Sequence, residues 1–547
     1  MLSRRPGRDA DHRRAGSRRR RRDDRARPRQ GRAVSGFAGG PAGAEGSRPA
    51  SASADYDAVV VGSGLGGLAA AALLARHGRR VLVAERTSGA GGYAHGFSRD
   101  GRYFDPAIHV VPEAGPGGTL HRLLDHLGVG DACEFVDSDL LYRAVIGSTT
   151  LDVPFGAEAL IEAYVAAFPA EEPGIRSFFL LCARFLAEAQ QLPVRLSTRQ
   201  LGRAVRESTV YFRYRRATLD EVLRQHIADP RCRAFCSAGW PYMGLPPSEL
   251  SFELYARFLQ TQVRGLSHCV GGFQRLVDAF VTAIEQHGGT VAVSTPVDRI
   301  LLRENRAVGV VLGDGQLVRA PMVVSNADAW HTFHDLVGLD RLPAAYQRRL
   351  TGLRPSMSMF VVYAASTCEI DPATAAHETF VFTEDDHDVT YRRFLAAEAP
   401  ASVVVVPTLL DPSLAPAGEH LVTSTALAPY HAGRDWSELK PVLQERYLDL
   451  VERLHPGFLA GLSHVESASP RTLERFTGNR FGAAYGWANT PHQAGSKRLN
   501  YATPIEGLYL AGHWTQAASA LRVIVSGCHA AREILLATGE NDAGPDF

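Results

Sequence analysis

The stretch from Asp55 to His109 constrains this chain more than any other. It reads DYDAVVVGSGLGGLAAAALLARHGRRVLVAERTSGAGGYAHGFSRDGRYFDPAIH. An apolar strand is predicted from Ala58 to Val61, running straight into Gly62-Ser63-Gly64-Leu65-Gly66-Gly67. An alanine-rich helix is predicted from Leu68 to His77, ended by Gly78, and a second apolar strand, Val81 to Ala84, ends in Glu85. Strand, glycine turn, helix, strand and terminal acid in this order form a dinucleotide-binding unit. Gly62 permits the tight turn, Gly64 lets the backbone approach a pyrophosphate, and Gly67 lets the helix pack close to the strand. The helix N-terminus offers N–H groups and a partial positive charge to phosphates. Glu85 is placed to accept hydrogen bonds from ribose hydroxyls, and its charge disfavours a 2′-phosphate. The competing reading is a glycine turn in an ordinary βαβ unit. It does not account for the acid at the second strand's tip.

The residues after Glu85 favour FAD over NAD. Gly91-Gly92 follows the acid closely, as where two-dinucleotide flavoproteins bring the chain back across the pyrophosphate. The run GGYAHGFSRDGRYFDPAIHVV resembles the phytoene desaturase, carotenoid isomerase and retinol saturase group of FAD enzymes. Its His95, Phe104-Asp105 and Ile108-His109 are similar to the saturase and isomerase branch in particular.

The C-terminal end carries the same resemblance. From Gly482 to Leu535 a strand (Leu508 to Ala511) ends at Gly512, and a helix with small residues at its start runs from Val523 to Leu535. The resemblance implies that this segment closes the flavin site, with Gly512, His513 and Val523 beside the cofactor. It also implies that a strand pair inserted in the nucleotide domain contacts the adenine through the backbone of Val297. One departure stands out: the family carries a Pro-Gly-Gly-Gly type stretch after Trp-Thr, where this chain has Gln516-Ala517-Ala518-Ser519-Ala520.

A chain of 547 residues with 45% apolar content can bury a large core, in two domains. Its charge is uneven. Fifteen Arg and five acids fall within residues 1–54, which leaves the remainder mildly acidic and argues against a nucleic-acid partner. Residues 1–54 hold hardly any large apolar side chain and read as a disordered tail. Translation from upstream of the true start is the other reading, with Val34 as the start if its codon is GTG. Seven scattered Cys without a CxxC pair read as reduced buried thiols of a cytoplasmic protein. No apolar run reaches the length of a membrane span.

The fold class expected is α/β, a Rossmann-like FAD-binding domain of the two-dinucleotide-binding type with a discontinuous mixed α+β substrate domain. Residues 55–150, 265–330 and 470–540 are assigned to the FAD-binding domain, and 151–264 and 331–469 to the substrate domain. Helical spacing runs through 157–168, 174–191 and 218–262, and Gly271-Gly272-Phe273-Gln274-Arg275 opens another helix, to Gln286. Two strands with a turn near Asn305 are predicted over 291–311, and one strand over 318–325. Further apolar strands at 357–365, 401–408 and 420–427 match a separate antiparallel sheet. The helical stretch Phe252 to Leu266 carries Leu254, Phe258 and Val263 beside Arg257 and Arg264. That suits a peripheral membrane contact. The preferred reading is an ordinary half-buried domain helix, with the membrane contact as the alternative.

One dinucleotide fingerprint and no second implies that the flavin exchanges electrons with an external redox partner or stays bound as a redox-neutral cofactor. His95 and His109 are the candidate catalytic residues, donating a proton to a polyene or holding a substrate terminus. The plainer reading has them bond backbone in a loop. Asp105 reads as a turn-fixing residue, and Tyr485 and Trp487 as packing or pocket lining. No metal site is expected. The function expected is an FAD-dependent oxidoreductase or isomerase acting on carbon–carbon double bonds of an apolar polyene. Two alternatives stand beside it. One is an FAD enzyme of another chemistry, such as amine oxidation or aromatising a polyketide-type acyl chain. The other is a flavin-free lipid-escort protein on the same fold.

Overall fold

The computed structural model describes residues 54–192, 198–515 and 519–540. The Arg-rich tail lies outside the described residues, and so do Gln516, Ala517 and Ala518 of the departure after Trp514-Thr515.

A five-stranded sheet forms around the fingerprint. Its order is Thr290–Ala292, Val81–Ala84, Ala58–Val61, Met322–Ser325 and Leu508–Leu510, and every pair is parallel. Val59 is paired with Leu82 on one side and Val323 on the other. Both faces of Ala58–Val61 are buried, which is why it reads as an unbroken apolar run rather than an alternating one. The fingerprint helix Leu65–Arg76, the helix Gln274–Gln286 and the C-terminal helix Ala520–Ala537 share one core on this sheet. A second core holds the antiparallel strands Val297–Arg303, Arg306–Leu312 and Leu317–Arg319. The single strand expected over 318–325 is therefore two strands in two sheets. Pro321 separates them, because proline cannot donate to a ladder.

The fingerprint helix begins at Leu65, earlier than the predicted Leu68, and every residue from Leu65 to Ala75 is buried. Glycine is a poor helix former, so helical pattern alone places the start after Gly66-Gly67. Backbone contact decides otherwise. An added Cβ at Gly67 would lie 2.3 Å from the Gly62 carbonyl oxygen, so the first helical turn rests on the turn that precedes it.

A seven-stranded sheet forms the other half, in the order Leu462–Ala468, Ser358–Ser366, His420–Ala428, Ala401–Val405, Glu378–Phe382, Tyr142–Ile146 and Thr149–Val153. All pairs are antiparallel except Glu378–Phe382 with Tyr142–Ile146. The hairpin at 142–153 therefore belongs to this sheet, and the boundary expected at 150 cuts through it. Its buried Tyr142, Ala144 and Ile146 face the core, with Tyr142 edge-on to Phe380. The strands Glu378–Phe382 and Leu462–Ala468, not anticipated from the sequence, complete the sheet. Aromatic residues from Glu172–Gln190, Phe252–Gln262 and Trp436–Leu454 fill the same core.

Phe252–Gln262 takes the form of the half-buried domain helix. Phe252, Leu254, Tyr255 and Leu259 are buried in that core, so the apolar face of Phe252–Gln262 is turned inward. Burial of each such side chain is worth roughly 1.5–3 kcal/mol, which a surface position would forgo. No described helix is long and apolar enough to cross a membrane. The seven cysteines are free thiols, all buried except the half-buried Cys368. Among the described residues no group of His, Cys, Asp and Glu could hold a metal ion.

Candidate active site

The fingerprint turn, the second glycine pair and the C-terminal helix converge on one point. Gly62 sits at φ +90°, a conformation that side chains rarely adopt, and its N–H donates to Ala84 O at 2.9 Å. Gly91 forms a bridge with Gly64, and its N–H donates to Ser63 O at 3.1 Å. An added Cβ at Gly92 would lie 3.2 Å from the Gly64 Cα. The second glycine pair thus lies directly on the first. Gly66 closes the arrangement from the other side, since its added Cβ would lie 2.9 Å from Gly512 Cα and 2.8 Å from Val523 O. Gly527 belongs to the same contact, because its own Cβ would lie 2.0 Å from Gly66 O. Gly66 and Gly527 were not singled out in the sequence. Their signal was the density of small residues in two helices that must touch.

Asn326 was also missed. It follows the buried strand Met322–Ser325, and its amide lies against Gly64, Gly66 and Gly512 at once. The position is legible in hindsight, because ligands in open parallel sheets gather at the carboxyl ends of the strands.

Glu85 is buried and saturated. One carboxylate oxygen accepts from the Ser63 N–H at 2.8 Å and the Ser63 hydroxyl at 2.7 Å. The other accepts from the Thr87 N–H and hydroxyl, both at 2.8 Å. Burial works against its charge, but these four bonds outweigh it and hold the carboxyl below its usual range. A carboxylate has about four acceptor sites. Ribose hydroxyls would therefore take the places of the two protein hydroxyls, which can rotate away. The backbone N–H donors would remain. Val297 lies close by. Glu85 N–H donates to Ala292 O at 2.8 Å, Thr295 N–H donates to Glu85 O at 2.6 Å, and Pro296 and Val297 line the cavity described next.

A cavity of about 430 Å³ opens beside this convergence. Gly62, Gly64, Glu85, Gly91, Gly92, Val297, Gly512, His513 and Val523 all line it, whereas Gly67 packs behind it. Beyond the glycines its wall turns apolar, with Ile108, Phe258, Leu266, Met359 and Val361. Among the predicted substrate helices, Phe258 and Gln262 of Phe252–Gln262 reach it. Tyr485 lines it too. Trp487 does not; its indole N–H donates to Trp514 O at 2.7 Å, a packing role. His513 faces the cavity, its Nε2 3.2 Å from Asn479 Oδ1, and burial lowers its pKa to about 4, so it is neutral at physiological pH.

The two candidate histidines part company. His95 is exposed and outside the cavity. Its Nδ1 lies 3.2 Å from Ala90 O and 3.1 Å from Gln274 Oε1, so the ring braces the loop against the helix Gln274–Gln286. This placement gives no support to the catalytic role expected for His95. His109 lines the cavity, and its Nε2 lies 2.6 Å from the Tyr242 hydroxyl and 2.9 Å from Glu378 Oε2. Tyr242 comes from the 3₁₀ turn Trp240–Met243 and Glu378 from the seven-stranded sheet. Neither was anticipated, because nothing in their local sequence announces them. Burial and the Glu378 charge raise the Tyr242 pKa far above its usual value, so the hydroxyl stays protonated.

The flavin fits this site on structural grounds. A glycine-lined cradle at a helix N-terminus, a buried acceptor at the second strand's tip and a continuous cavity between them match a long dinucleotide. Comparison with known proteins agrees. The family described as flavin containing amine oxidoreductase matches residues 65–535. An all-trans-retinol 13,14-reductase from Danio rerio is 28% identical over 84% of this chain and 82% of its own. Prolycopene isomerase 2 from an Oncidium hybrid cultivar is 27% identical over 84% of this chain and 80% of its own. Among solved structures, an oxidoreductase from Methanosarcina mazei has a TM-score of 0.58 at 21% identity, covering 86% of this chain and 99% of that one. That last likeness speaks for the fold.

Proposed function

The chain belongs to the flavin containing amine oxidoreductase family, and from that premise we propose that it is an FAD enzyme that reorganises carbon–carbon double bonds of an apolar, polyene-like substrate. The observation that carries the reading is the change in the cavity's character. It is lined by glycine and backbone at the fingerprint and by Ile108, Phe258, Leu266, Met359 and Val361 farther on, with His109 and Tyr242 as polar groups in that apolar stretch and Glu378 bonded to His109. A polyene has few polar handles and is held by burial, at about 25 cal/mol per Å² of apolar surface. The names of the two relatives, a retinol reductase and a prolycopene isomerase, point to the same substrate class.

Gly62, Gly64, Gly66, Gly91 and Gly92 would hold the pyrophosphate, Glu85 the ribose, the Val297 backbone the adenine, and Gly512, His513 and Val523 the flavin end. FAD supplies the capacity to take up or give a hydride. The protein's own contribution is position, dryness and a proton. Glu378 is a positioning residue that orients the His109 ring. His109 stands at the cavity wall, where it can give a proton to a substrate carbon or take one from it. The seven-stranded sheet and its helices form the substrate side. Net saturation or desaturation requires an external redox partner, because the one fingerprint serves FAD.

The test is anaerobic incubation of the FAD-loaded protein, oxidised or reduced, with a panel of retinoid and carotenoid polyenes, followed by absorbance. Saturation shortens the conjugated system and shifts absorbance to shorter wavelength. Desaturation does the reverse, and isomerisation changes band shape at constant length. No change with any polyene, together with flavin reduction by amines, would overturn the reading.

A further inference from the structure

Behind the wall that carries His109 the fold encloses a second, much smaller cavity. Its volume is about 20 Å³, and its lining includes Tyr103, Asp105, His109, Thr423 and Thr425. That is room for one water molecule among several polar partners. His109 also lines the large cavity, so this residue forms part of the partition between the two.

Asp105 faces the small cavity in a fixed pose. Its Oδ1 accepts from the Phe273 N–H at 2.9 Å and the Tyr103 hydroxyl at 3.2 Å. Both bonds use one oxygen, so Oδ2 is the oxygen that carries the proton of the acid form. We propose that Asp105 supplies protons to His109 through a single water held in the small cavity. This deepens the function proposed above and rests on its reading of His109. In the step, the Asp105 Oδ2–H bond breaks and its proton passes to the water oxygen. The water gives one of its own protons to the His109 ring. Asp105 is left a carboxylate, His109 an imidazolium, and the water is restored. No electrons are exchanged, and Asp105 regains its proton from solvent between turnovers.

The electrostatics suit the role. Burial pushes the Asp105 carboxyl up to about 7, against the two hydrogen bonds and the charge of His109, with Asp411 adding to the rise. The groups facing it are His109, Tyr103, Tyr363, Cys269 and Asp411, with His268 beside His109 and Asp411. Burial keeps Tyr103 and Tyr363 protonated, and hydrogen bonding with Cys133 together with burial keeps Cys269 a thiol. Burial also lowers the pKa of His268, whose Nδ1 donates to His109 O at 3.1 Å, so it does not compete for the proton. Asp411 is held below its usual range, the bonds from Ser413 and Gly271 prevailing over burial, and remains a fixed negative charge.

Asp105→Asn keeps an oxygen for both Oδ1 bonds and removes the transferable proton. Infrared spectra of the FAD-loaded wild type should contain a carboxylic-acid C=O band that titrates away with a midpoint of about 7, and Asp105→Asn should lack it. With whichever polyene the panel above identifies, Asp105→Asn should turn over about tenfold more slowly, at unchanged FAD content, with its pH dependence around that midpoint flattened. Asp105→Glu should restore the profile. Loss of turnover in His109→Gln with an unaltered band and pH profile in Asp105→Asn overturns the relay and leaves the proposed function standing. Unaltered turnover in both variants overturns the relay together with the reading of His109.

Discussion

His109 Nε2 lies 2.9 Å from Glu378 Oε2 although 269 residues separate them in sequence. The contact joins the loop after the hairpin of Phe97–Arg99 and Arg102–Phe104 to an interior strand of the seven-stranded sheet. Glu378 is almost fully buried, and its oxygen is satisfied across that junction. Removing its partner would leave a buried carboxylate short of a hydrogen bond, which costs more than the bond itself contributes.

His109→Ala should therefore lower turnover by about 10²- to 10⁴-fold, the range for loss of a positioned proton donor, while FAD stays bound. His95→Ala should leave turnover within error of wild type, since that ring is exposed and outside the cavity. Steady-state kinetics and flavin absorbance on both proteins check the contrast. A comparable loss in His95→Ala would show that the loop's order, and not the His109 ring, is what matters.

Gly67→Ala should be the more damaging of two fingerprint substitutions. Its Cβ would meet the Gly62 carbonyl oxygen at 2.3 Å, a backbone contact that can be relieved only by moving the helix. A loss of roughly 1–3 kcal/mol of stability is expected from such overpacking, with FAD content falling in step. At Gly64 the Cβ would meet only the Asn326 side-chain amide, at 2.6 Å. Gly64→Ala combined with Asn326→Ala should therefore recover the stability that Gly64→Ala loses. Melting curves of the three variants and the double variant decide it.

Glu85→Gln should weaken FAD and the apoprotein together. The amide cannot accept all four bonds from Ser63 and Thr87. A charge-assisted bond is worth about 1.5–3 kcal/mol. The folded-state pKa of Glu85 is depressed, so its stabilising contribution is present above the unfolded carboxyl's pKa and is lost as pH falls through the folded value. The stability gap between wild type and Glu85→Gln should accordingly narrow in acid. A gap that widens on acidification would contradict the assignment.

Asp105 carries the opposite sign. Its folded pKa is raised to about 7, so the group favours folding below the unfolded carboxyl's pKa, and that contribution is lost as pH rises toward and through about 7. Asp105→Asn has no such dependence. Chemical denaturation at several pH values should show the variant gaining on wild type from acid to mildly alkaline pH. Parallel stability profiles would mean that the carboxyl has the same pKa in the folded and unfolded states.

The nucleotide half was legible in the sequence because its signals are local. Ala58–Val61, the glycine turn and Glu85 act within one βαβ unit, and burial on both faces writes itself as an unbroken apolar strand. Gly91-Gly92 and Gly512 were legible for the same reason, each placed next to a strand end or an acid. The start of the fingerprint helix was misplaced at Leu68, since helix propensity opposes glycine and only the contact of Gly67 with the Gly62 carbonyl overrides it. The division of the chain was decided by pairing at a distance. Tyr142–Ile146 lies in the seven-stranded sheet because Arg143 is registered with Thr379, a partner no local pattern announces. The chemistry of the wall depended on the same kind of event. Sequence could nominate His95 and His109 together, fourteen positions apart. Only packing set the first against Ala90 and Gln274 on the exterior and brought the second to Tyr242 and Glu378. A short motif determines backbone shape through neighbours in the chain, whereas a proton-handling cluster needs groups drawn from separate elements, and their meeting is a property of the folded core.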